Sequence, residues 1–184
     1  MNEKIKYVSN ISIAKDYSPA ALFGKAQAEA VRKFHKSFPA YEPTKLYSLD
    51  NLARIMGVGK FYVKDESSRF GLNAFKGLGG SYAIGKILSE RAGISEEEMT
   101  YTRLQQENVK AATRGMTFVT ATDGNHGRGI AWTARELGID AVIYMPKGSS
   151  EERLENIRSL GARAEITDMN YDAKTICGLF CVYT

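Results

Sequence analysis

The second half of the chain alternates strand and helix patterns, and this alternation constrains the fold more than any other feature of the sequence. Three predicted strands and two predicted helices follow one another at 116–122, 125–137, 141–145, 149–160 and 163–167. Strands that alternate with helices over such short connections form parallel sheets with right-handed crossovers. The sequence therefore predicts an α/β fold, an open and mostly parallel sheet with flanking helices.

Local signals predict further elements in the first half of the chain. Ser18 followed by Pro19 is typical of a helix start, and apolar residues recur at spacing four from 22 to about 38. Helices are also predicted at 48–56, 76–91 and 95–112, and a strand at 61–65. Two Ser-x-x-Glu capping boxes, at 95–98 and 149–152, mark further helix starts.

The last residues do not continue the alternation. After Asp172 no amphipathic period is recognisable, and Gly178 would interrupt a helix. Three strands alone would also leave an exposed sheet edge and an uncovered face. We therefore expect the chain to stop before its fold is complete.

The composition excludes several classes of protein. Of the 184 residues, 43% are hydrophobic and 25% are charged, which is usual for a globular domain. The net charge of +4 comes without a cluster of basic and aromatic residues, so no nucleic-acid partner is predicted. No membrane span or signal-peptide pattern is present. Because Cys177 and Cys181 are the only cysteines, we expect neither a disulfide framework nor a metal site. The low cysteine content predicts a cytoplasmic location.

Lys76 is the first candidate for chemistry. A lysine amine forms an imine with an aldehyde only when part of it is neutral, and apolar neighbours promote the neutral form. Phe75, Leu78 and the nearby glycines could provide such a setting. Glycines are also poor helix formers, so their presence indicates that another part of the chain approaches closely. The alternative is an ordinary surface lysine on a helix.

The loop Thr122-Asp123-Gly124-Asn125-His126-Gly127 is the second candidate. It follows a predicted strand, where open α/β sheets bind their ligands. Its glycines let the backbone approach a ligand, and the next helix begins with N–H groups that suit an anion such as a substrate carboxylate. Asn125 could donate a hydrogen bond, and Asp123 could move protons. The alternative is a simple strand-to-helix turn with an aspartate or asparagine cap.

Three other side chains are predicted to have structural roles. His126 could be a general base, but a hydrogen-bonded side chain that shapes the turn is the favoured interpretation. His35 lies among basic residues on the first predicted helix and is expected to be solvated. Trp132 lies within a predicted helix, where we expect it to pack.

Four ordered blocks of sequence resemble a known family. They are 64–76, KDESSRFGLNAFK; 122–129, TDGNHGRG; 144–149, YMPKGS; and 167–172, TDMNYD. The blocks resemble diaminopropionate ammonia-lyase, a fold type II pyridoxal phosphate enzyme of the tryptophan-synthase-β-like group. The resemblance extends from about Phe34 to Asp172. It implies elimination of ammonia from 2,3-diaminopropionate to give pyruvate and ammonia.

Threonine and serine dehydratases of the same group are the alternative. Their lysine motif usually reads Phe-Lys-x-Arg-Gly, and their loop usually has serine before Gly-Asn-His. In this sequence Leu78 takes the place of the arginine and Asp123 the place of the serine. Both differences favour the diaminopropionate enzyme.

The resemblance also implies roles for individual residues. Lys76 would hold pyridoxal 5'-phosphate as an imine, and Asn125 would donate a hydrogen bond to the phenolic oxygen of the cofactor. Asp123 would be the acid/base near the α-carbon and the amino groups of the substrate. The substrate-binding residues that it implies are Thr122, Asp123, Gly124 and His126.

The resemblance further implies that the chain is incomplete. Members of the family continue for about as long again, and their second half carries the glycine-rich loop for the cofactor phosphate. On this interpretation 1–80 is the N-terminal part of an incomplete large domain, 81–172 a small α/β domain and 173–184 an aberrant tail from a frameshift or early stop. We expect this chain to be a fragment of the enzyme with little or no lyase activity. The alternative is a non-catalytic remnant that binds a small ligand or a partner. A homodimer is expected for the intact family.

Overall fold

A computed structural model describes residues 23–122 and 124–168, and the backbone of 180–183. The helices are α1 (Lys25–Lys36), α2 (Asp50–Met56), α3 (Lys76–Arg91), α4 (Tyr101–Leu104), α5 (Glu107–Ala112), α6 (Asn125–Leu137) and α7 (Glu151–Arg158). The strands are β1 (Leu46–Ser48), β2 (Tyr62–Lys64), β3 (Met116–Ala121), β4 (Asp140–Met145), β5 (Arg163–Ile166) and β6 (Phe180–Tyr183). Short 3-10 turns lie at Arg69–Gly71 and Glu96–Glu98.

The main sheet has the strand order β5-β4-β3-β6. β3 pairs in parallel with β4, and β4 in parallel with β5, as the alternating pattern predicts. Because α6 and α7 cover this sheet, β3 is buried over most of its length and can be rich in β-branched and apolar residues. The predicted α/β fold is confirmed.

β6 corrects the expectation that the edge of the sheet beside β3 is exposed. It pairs antiparallel with β3, and Phe118 lies opposite Cys181 in the register. Its four residues do not alternate between polar and apolar, so the sequence pattern did not predict a strand here. The strand forms because the N–H and C=O groups at the edge of β3 require hydrogen-bond partners. The side chains of β6, together with Cys177 and 169–179, lie outside the described residues.

Helices α3 and α6 cross at glycines, which confirms the expected close approach to the start of α3. A Cβ on Gly129 of α6 would lie 2.9 Å from Gly77 Cα, and a Cβ on Gly80 would lie 2.9 Å from Ile130 Cδ1. Only residues without a side chain allow backbones to approach this closely. The crossing therefore fixes the first turn of α3 against the first turns of α6.

An aromatic cluster holds α1 against this pair of helices. Phe70 stacks on Trp132 with ring centroids 4.3 Å apart, and Phe34 and Phe38 complete the cluster. The packing role predicted for Trp132 is confirmed. Residues on both sides of position 80 share this core. The domain boundary predicted at this position stays a prediction.

His35 is buried, so the expectation that it is solvated is wrong. Its Nε2–H donates to the carbonyl oxygen of Leu78 at 2.9 Å, and its ring packs beside Phe34. Burial lowers the pKa of His35, with a smaller lowering effect from the charge of Arg69. The basic residues around it, Arg32, Lys33 and Lys36, are exposed, whereas His35 and Phe34 turn toward the core.

Several helix boundaries differ from those predicted. Ser150, not Ser149, caps α7, and its hydroxyl accepts a hydrogen bond from the N–H of Arg153 at 3.3 Å. The helix predicted over 95–112 is divided into a 3-10 turn and the two short helices α4 and α5. The Ser18–Pro19 start lies outside the described residues, and α1 begins at Lys25.

β1, α2 and β2 form a small antiparallel unit beside the main core. Ala53 is its only buried residue among those described, and Ile55 and Leu46 are well exposed. None of the helices in the described ranges is long and apolar enough to cross a lipid bilayer.

Candidate functional site

The loop after β3 and the first turn of α3 meet at the carboxyl end of the parallel strands. A cavity of about 350 Å³ lies between them. It is lined by Phe75, Lys76, Gly79, Gly80, Ala121, Thr122 and His126. The topology alone places the loop here, since parallel strands end at one edge of a sheet.

A second and more polar cavity of about 210 Å³ adjoins the first. Lys76 belongs to its wall as well, together with Gly124, Asn125 and Arg153. Lys76 is thus the residue that the two cavities share among the described part of the chain. The structure brings five predicted site residues together: Lys76, Thr122, Gly124, Asn125 and His126. Asp123 lies outside the described residues.

Lys76 is exposed, which corrects the expectation of an apolar setting. The side chain of Phe75 is 61% exposed, and Leu78 is only half-buried. The reason is the helix crossing: Gly77 and Gly80 turn toward α6, so Phe75, Lys76 and Gly79 face the open side. Among the described residues, no apolar wall shields the amine from water.

The loop between β3 and α6 is held by its own polar groups. The N–H of Gly124 donates to Thr122 Oγ1 at 3.3 Å, and the N–H of Thr122 donates to the carbonyl of Tyr144 at 3.0 Å. A Cβ on Gly127 would lie 2.4 Å from Thr122 Cγ2, so a glycine is required where α6 turns under the loop. The first N–H groups of α6 are therefore presented at the cavities, where they suit an anionic group.

His126 is half-buried and lies in the wall of the first cavity. Burial lowers its pKa, and the positive charge of Lys76 lowers it further. The two side chains are therefore close enough to interact across the cavity. The imidazole thus lines the site, and the turn-shaping role that the sequence favoured for it stays a prediction.

This interaction gives a prediction for His126. In Lys76→Met we expect the pKa of His126 to rise, because one of the two causes that lower it is removed, yet to stay below 6.5 because burial remains. A pH titration of the imidazole resonances by NMR measures this change. Lys86→Met, on the same helix but outside both cavities, should leave the pKa unchanged; an equal shift in that control would contradict the interaction.

Two residues that line these cavities were not selected from the sequence. Gly79 was noted only for its poor helix propensity, and its position on the open side of α3 depends on the crossing. Arg153 lies against the loop: its Cδ would be 3.6 Å from a Cβ on Gly124. A signal for Arg153 was available, because the first turn of the helix after β4 must lie beside the helix start after β3.

Comparison with known proteins identifies the family. The sequence profile described as pyridoxal-phosphate dependent enzyme matches residues 38–175. The chain belongs to this family of pyridoxal-phosphate dependent enzymes. The family expected from the four sequence blocks is therefore confirmed, and the match contains every predicted site residue.

Within the pyridoxal-phosphate dependent family the chain is similar to diaminopropionate ammonia-lyases. It is 50% identical to the Escherichia coli K12 enzyme over 169 residues, which are 92% of this chain and 41% of that relative. The chain thus spans about two fifths of the relative's length. The chain also superimposes on a crystal structure of the Escherichia coli enzyme in complex with D-serine, with a TM-score of 0.77 and 51% sequence identity. The match covers 84% of this chain and 39% of the chain in that crystal structure.

The dehydratases are more distant members of the same family. The biosynthetic L-threonine dehydratase of Salmonella typhimurium is 24% identical over 135 residues, which are 73% of this chain and 22% of that relative. The preference for the diaminopropionate enzymes, which rested on Leu78 and Asp123, is therefore confirmed over a longer alignment.

The described residues suit the reactive end of pyridoxal phosphate. A methyl group on Gly79 would meet none of the described atoms within 4 Å, so the cavity beside Lys76 is open at this residue. A volume of about 350 Å³ is within the range of ligand cavities, which begins at roughly 300 Å³. A primary amine, an exposed amide on Asn125 and helix N–H groups are the donors that an aldehyde, a phenolate and a carboxylate require.

Proposed function

We propose that this chain carries part of the active site of a diaminopropionate ammonia-lyase. The reaction converts 2,3-diaminopropionate and water into pyruvate and two molecules of ammonia, so that carbon, nitrogen and oxygen balance. The observation that supports it is the position of Lys76, which borders both cavities opposite the loop at the carboxyl end of β3. The 50% identity to the Escherichia coli enzyme supports this substrate over threonine or serine.

Lys76 and Asn125 would hold the cofactor. The Lys76 amine is accessible for a covalent bond to the aldehyde carbon, and the Asn125 amide is exposed at the same cavity for a hydrogen bond to the phenolic oxygen. When bound, pyridoxal phosphate withdraws electrons from the α-carbon of an amino acid.

The loop after β3 would hold the amino acid substrate. Thr122, Gly124 and His126 lie at the cavities where α6 presents its first N–H groups, and these groups suit a carboxylate. The structure of the Escherichia coli enzyme with D-serine shows that the relative binds an amino acid. Burial and the charge of Lys76 lower the pKa of His126, which favours the neutral form of its ring beside the amine.

Asp123 would handle the proton of the departing amino group. Ammonia is a poor leaving group until it is protonated, and a carboxyl group placed in the loop can supply that proton. Asp123 follows Thr122 directly, and Thr122 borders the first cavity. The homodimer and the cytoplasmic location implied by the resemblance and the cysteine content stay predictions.

The cofactor site is tested with the purified chain and pyridoxal phosphate. We expect a covalent adduct that borohydride reduction fixes on Lys76, and mass spectrometry locates the modified residue. Lys76→Ala should lose the adduct completely, because no other described residue places an amine in both cavities. The matched control is Lys86→Ala on the same helix, an exposed lysine that pairs with Glu96 at 3.6 Å.

Two outcomes would contradict the proposal. One is wild-type chain without an adduct, which would favour a non-catalytic remnant. The other is an adduct that persists in Lys76→Ala, which would show that surface lysines react without a site. Loss of the Lys76 adduct on addition of 2,3-diaminopropionate, compared with addition of threonine and followed by absorbance, then distinguishes the two substrate classes without requiring turnover.

A further inference from the structure

Arg128 makes a long-range contact with the segment that leads into Lys76. It lies in the first turn of α6, and its Nη1–H donates to the carbonyl oxygen of Leu72 at 3.0 Å. The two residues are 56 positions apart in the chain. Leu72 is buried and precedes Lys76 by only four residues, so the bond ties the approach to α3 directly to α6.

The segment that Arg128 holds has an unusual backbone. Gly71 and Asn73 both adopt left-handed conformations, with φ of 69° and 54°. Left-handed residues outside glycine are uncommon and are kept where surrounding contacts hold them. The Leu72 carbonyl lies between these two residues, so a bond to it restrains both of them.

Arg128 makes this contact at a cost in stability. Its Nε–H is buried and has no hydrogen-bond partner within the described parts of the chain. A buried donor without an acceptor destabilises the folded state and offsets the gain from the Nη1–H bond to Leu72, so methionine of similar length should leave the stability close to that of wild type. The arginine is therefore explained by what it holds in position and not by a gain in stability.

Next to Arg128, the glycine contact fixes the same part of the chain from the other side. Gly129 approaches Gly77 and the carbonyl carbon of Lys76, where a Cβ would lie 3.2 Å away. The glycine contact limits how near α3 comes, and the guanidinium limits how far the preceding segment can move away. Together they define where the Lys76 side chain begins.

We propose that Arg128 is a positioning residue that holds the Leu72–Lys76 segment against α6, so that the Lys76 amine faces the loop after β3. It touches neither cavity wall among the described residues and acts only through this segment. The inference rests on the proposed function of Lys76. Arg128 thereby sets how readily Lys76 captures an aldehyde cofactor.

The test uses the full chain and three substitutions. Arg128→Met removes the donors and keeps the length, Arg128→Lys keeps one charged donor, and Arg135→Met is the control on the same helix. Arg135 pairs with its neighbour Glu136 at 3.0 Å and lies outside both cavities. The equilibrium constant for adduct formation between pyridoxal phosphate and Lys76 is measured by absorbance, and urea unfolding measures stability.

We expect Arg128→Met to lower the equilibrium constant roughly tenfold, the effect of one charge-assisted hydrogen bond, with an unchanged urea midpoint. Arg128→Lys should recover most of the loss, and Arg135→Met should behave as wild type. Adduct formation in Arg128→Met within twofold of wild type would overturn the proposal. The proposal would also be overturned if the weaker adduct formation in Arg128→Met came with a matching fall in the urea midpoint and Arg128→Lys did not recover it.

A second measurement separates this proposal from the function of the site. The pKa of His126 reports the nearness of Lys76 without any cofactor. If wild type forms no adduct at all, the proposed function fails and the His126 titration decides. A rise in the pKa of His126 in Arg128→Met that is absent when the same substitution is made in Lys76→Met would support the positioning role. An unchanged pKa, or an equal rise with and without Lys76, would overturn it.

Discussion

Gly129→Ala is expected to lower the free energy of unfolding by about 2 kcal/mol, a typical cost of forcing one extra carbon into a close-packed contact. The new Cβ would lie 2.9 Å from Gly77 Cα and 3.0 Å from Gly77 N. Backbone atoms cannot rotate out of the way as a side chain can, so α3 must move away from α6. Because Lys76 begins α3, the same movement should reduce adduct formation with pyridoxal phosphate at least tenfold, a change of about 1.4 kcal/mol.

The matched control is Gly79→Ala in the facing helix. Its Cβ meets none of the described atoms within 4 Å, so the substitution should raise the free energy of unfolding by up to about 1 kcal/mol through helix propensity. Its methyl group would enter the cavity beside Lys76 and should also weaken adduct formation. Urea unfolding and adduct titration of both variants test this. Equal stability of Gly129→Ala and wild type would show that the crossing tolerates a methyl group.

Arg69→Met is expected to cost about 3 kcal/mol of unfolding free energy, the usual effect of removing one member of a buried ion pair. Arg69 is 5% exposed, and its guanidinium donates to both carboxylate oxygens of Glu66 at 2.7 and 3.1 Å. It also donates to the Glu42 carbonyl and to Thr44 Oγ1. Removing it takes this donor away from four acceptor atoms in the part of the chain that precedes Lys76.

The pH dependence of the same variant provides an independent check. The hydrogen bond from Arg69 is the main reason why the pKa of Glu66 is lowered from 4.5. A lowered native pKa stabilises the folded state at pH values above 4.5, and this stabilisation is lost as the pH falls through the lowered pKa. In Arg69→Met this part of the acid destabilisation should disappear. Urea unfolding from pH 7 to pH 3 measures the difference.

A double substitution distinguishes the ion pair from simple packing. In Arg69→Met with Glu66→Gln the carboxylate that has lost the guanidinium is gone, so we expect the double variant to be more stable than Arg69→Met alone. A double variant that is as unstable as the sum of the single ones would assign the loss to packing against Tyr41 and Phe70 instead.

Much of the fold could be predicted because it follows from local patterns. The β-branched run before Thr122 marked β3, Gly138 adopts the left-handed conformation that ends α6, and the alternation of elements fixed the parallel pairing. Errors occurred where a partner distant in the chain decides the outcome. His35 is buried because Leu78 and Phe70 lie against it, and β6 exists as a strand because β3 needs a partner.

The candidate site shows the same division. The residue types in Lys76 and in the loop from Thr122 to His126 indicated the chemistry, since an amine, an amide and free N–H groups bind an aldehyde, a phenolate and a carboxylate. Their common location at one sheet edge followed from parallel topology. The exposure of Lys76 did not follow, because it depends on which face of α3 turns toward α6.

By itself the sequence determined the family, the alternation of elements from β3 to β5 and five of the residues that border the cavities, because these depend on residue type and on short-range periodicity. Only the tertiary structure decided that Gly77 and Gly129 meet, that Arg128 holds the Leu72 carbonyl and that Lys76 faces open space. These features depend on close contacts between segments some fifty residues apart. No local pattern records such contacts, since the free energy that selects them comes from packing and desolvation in the assembled fold.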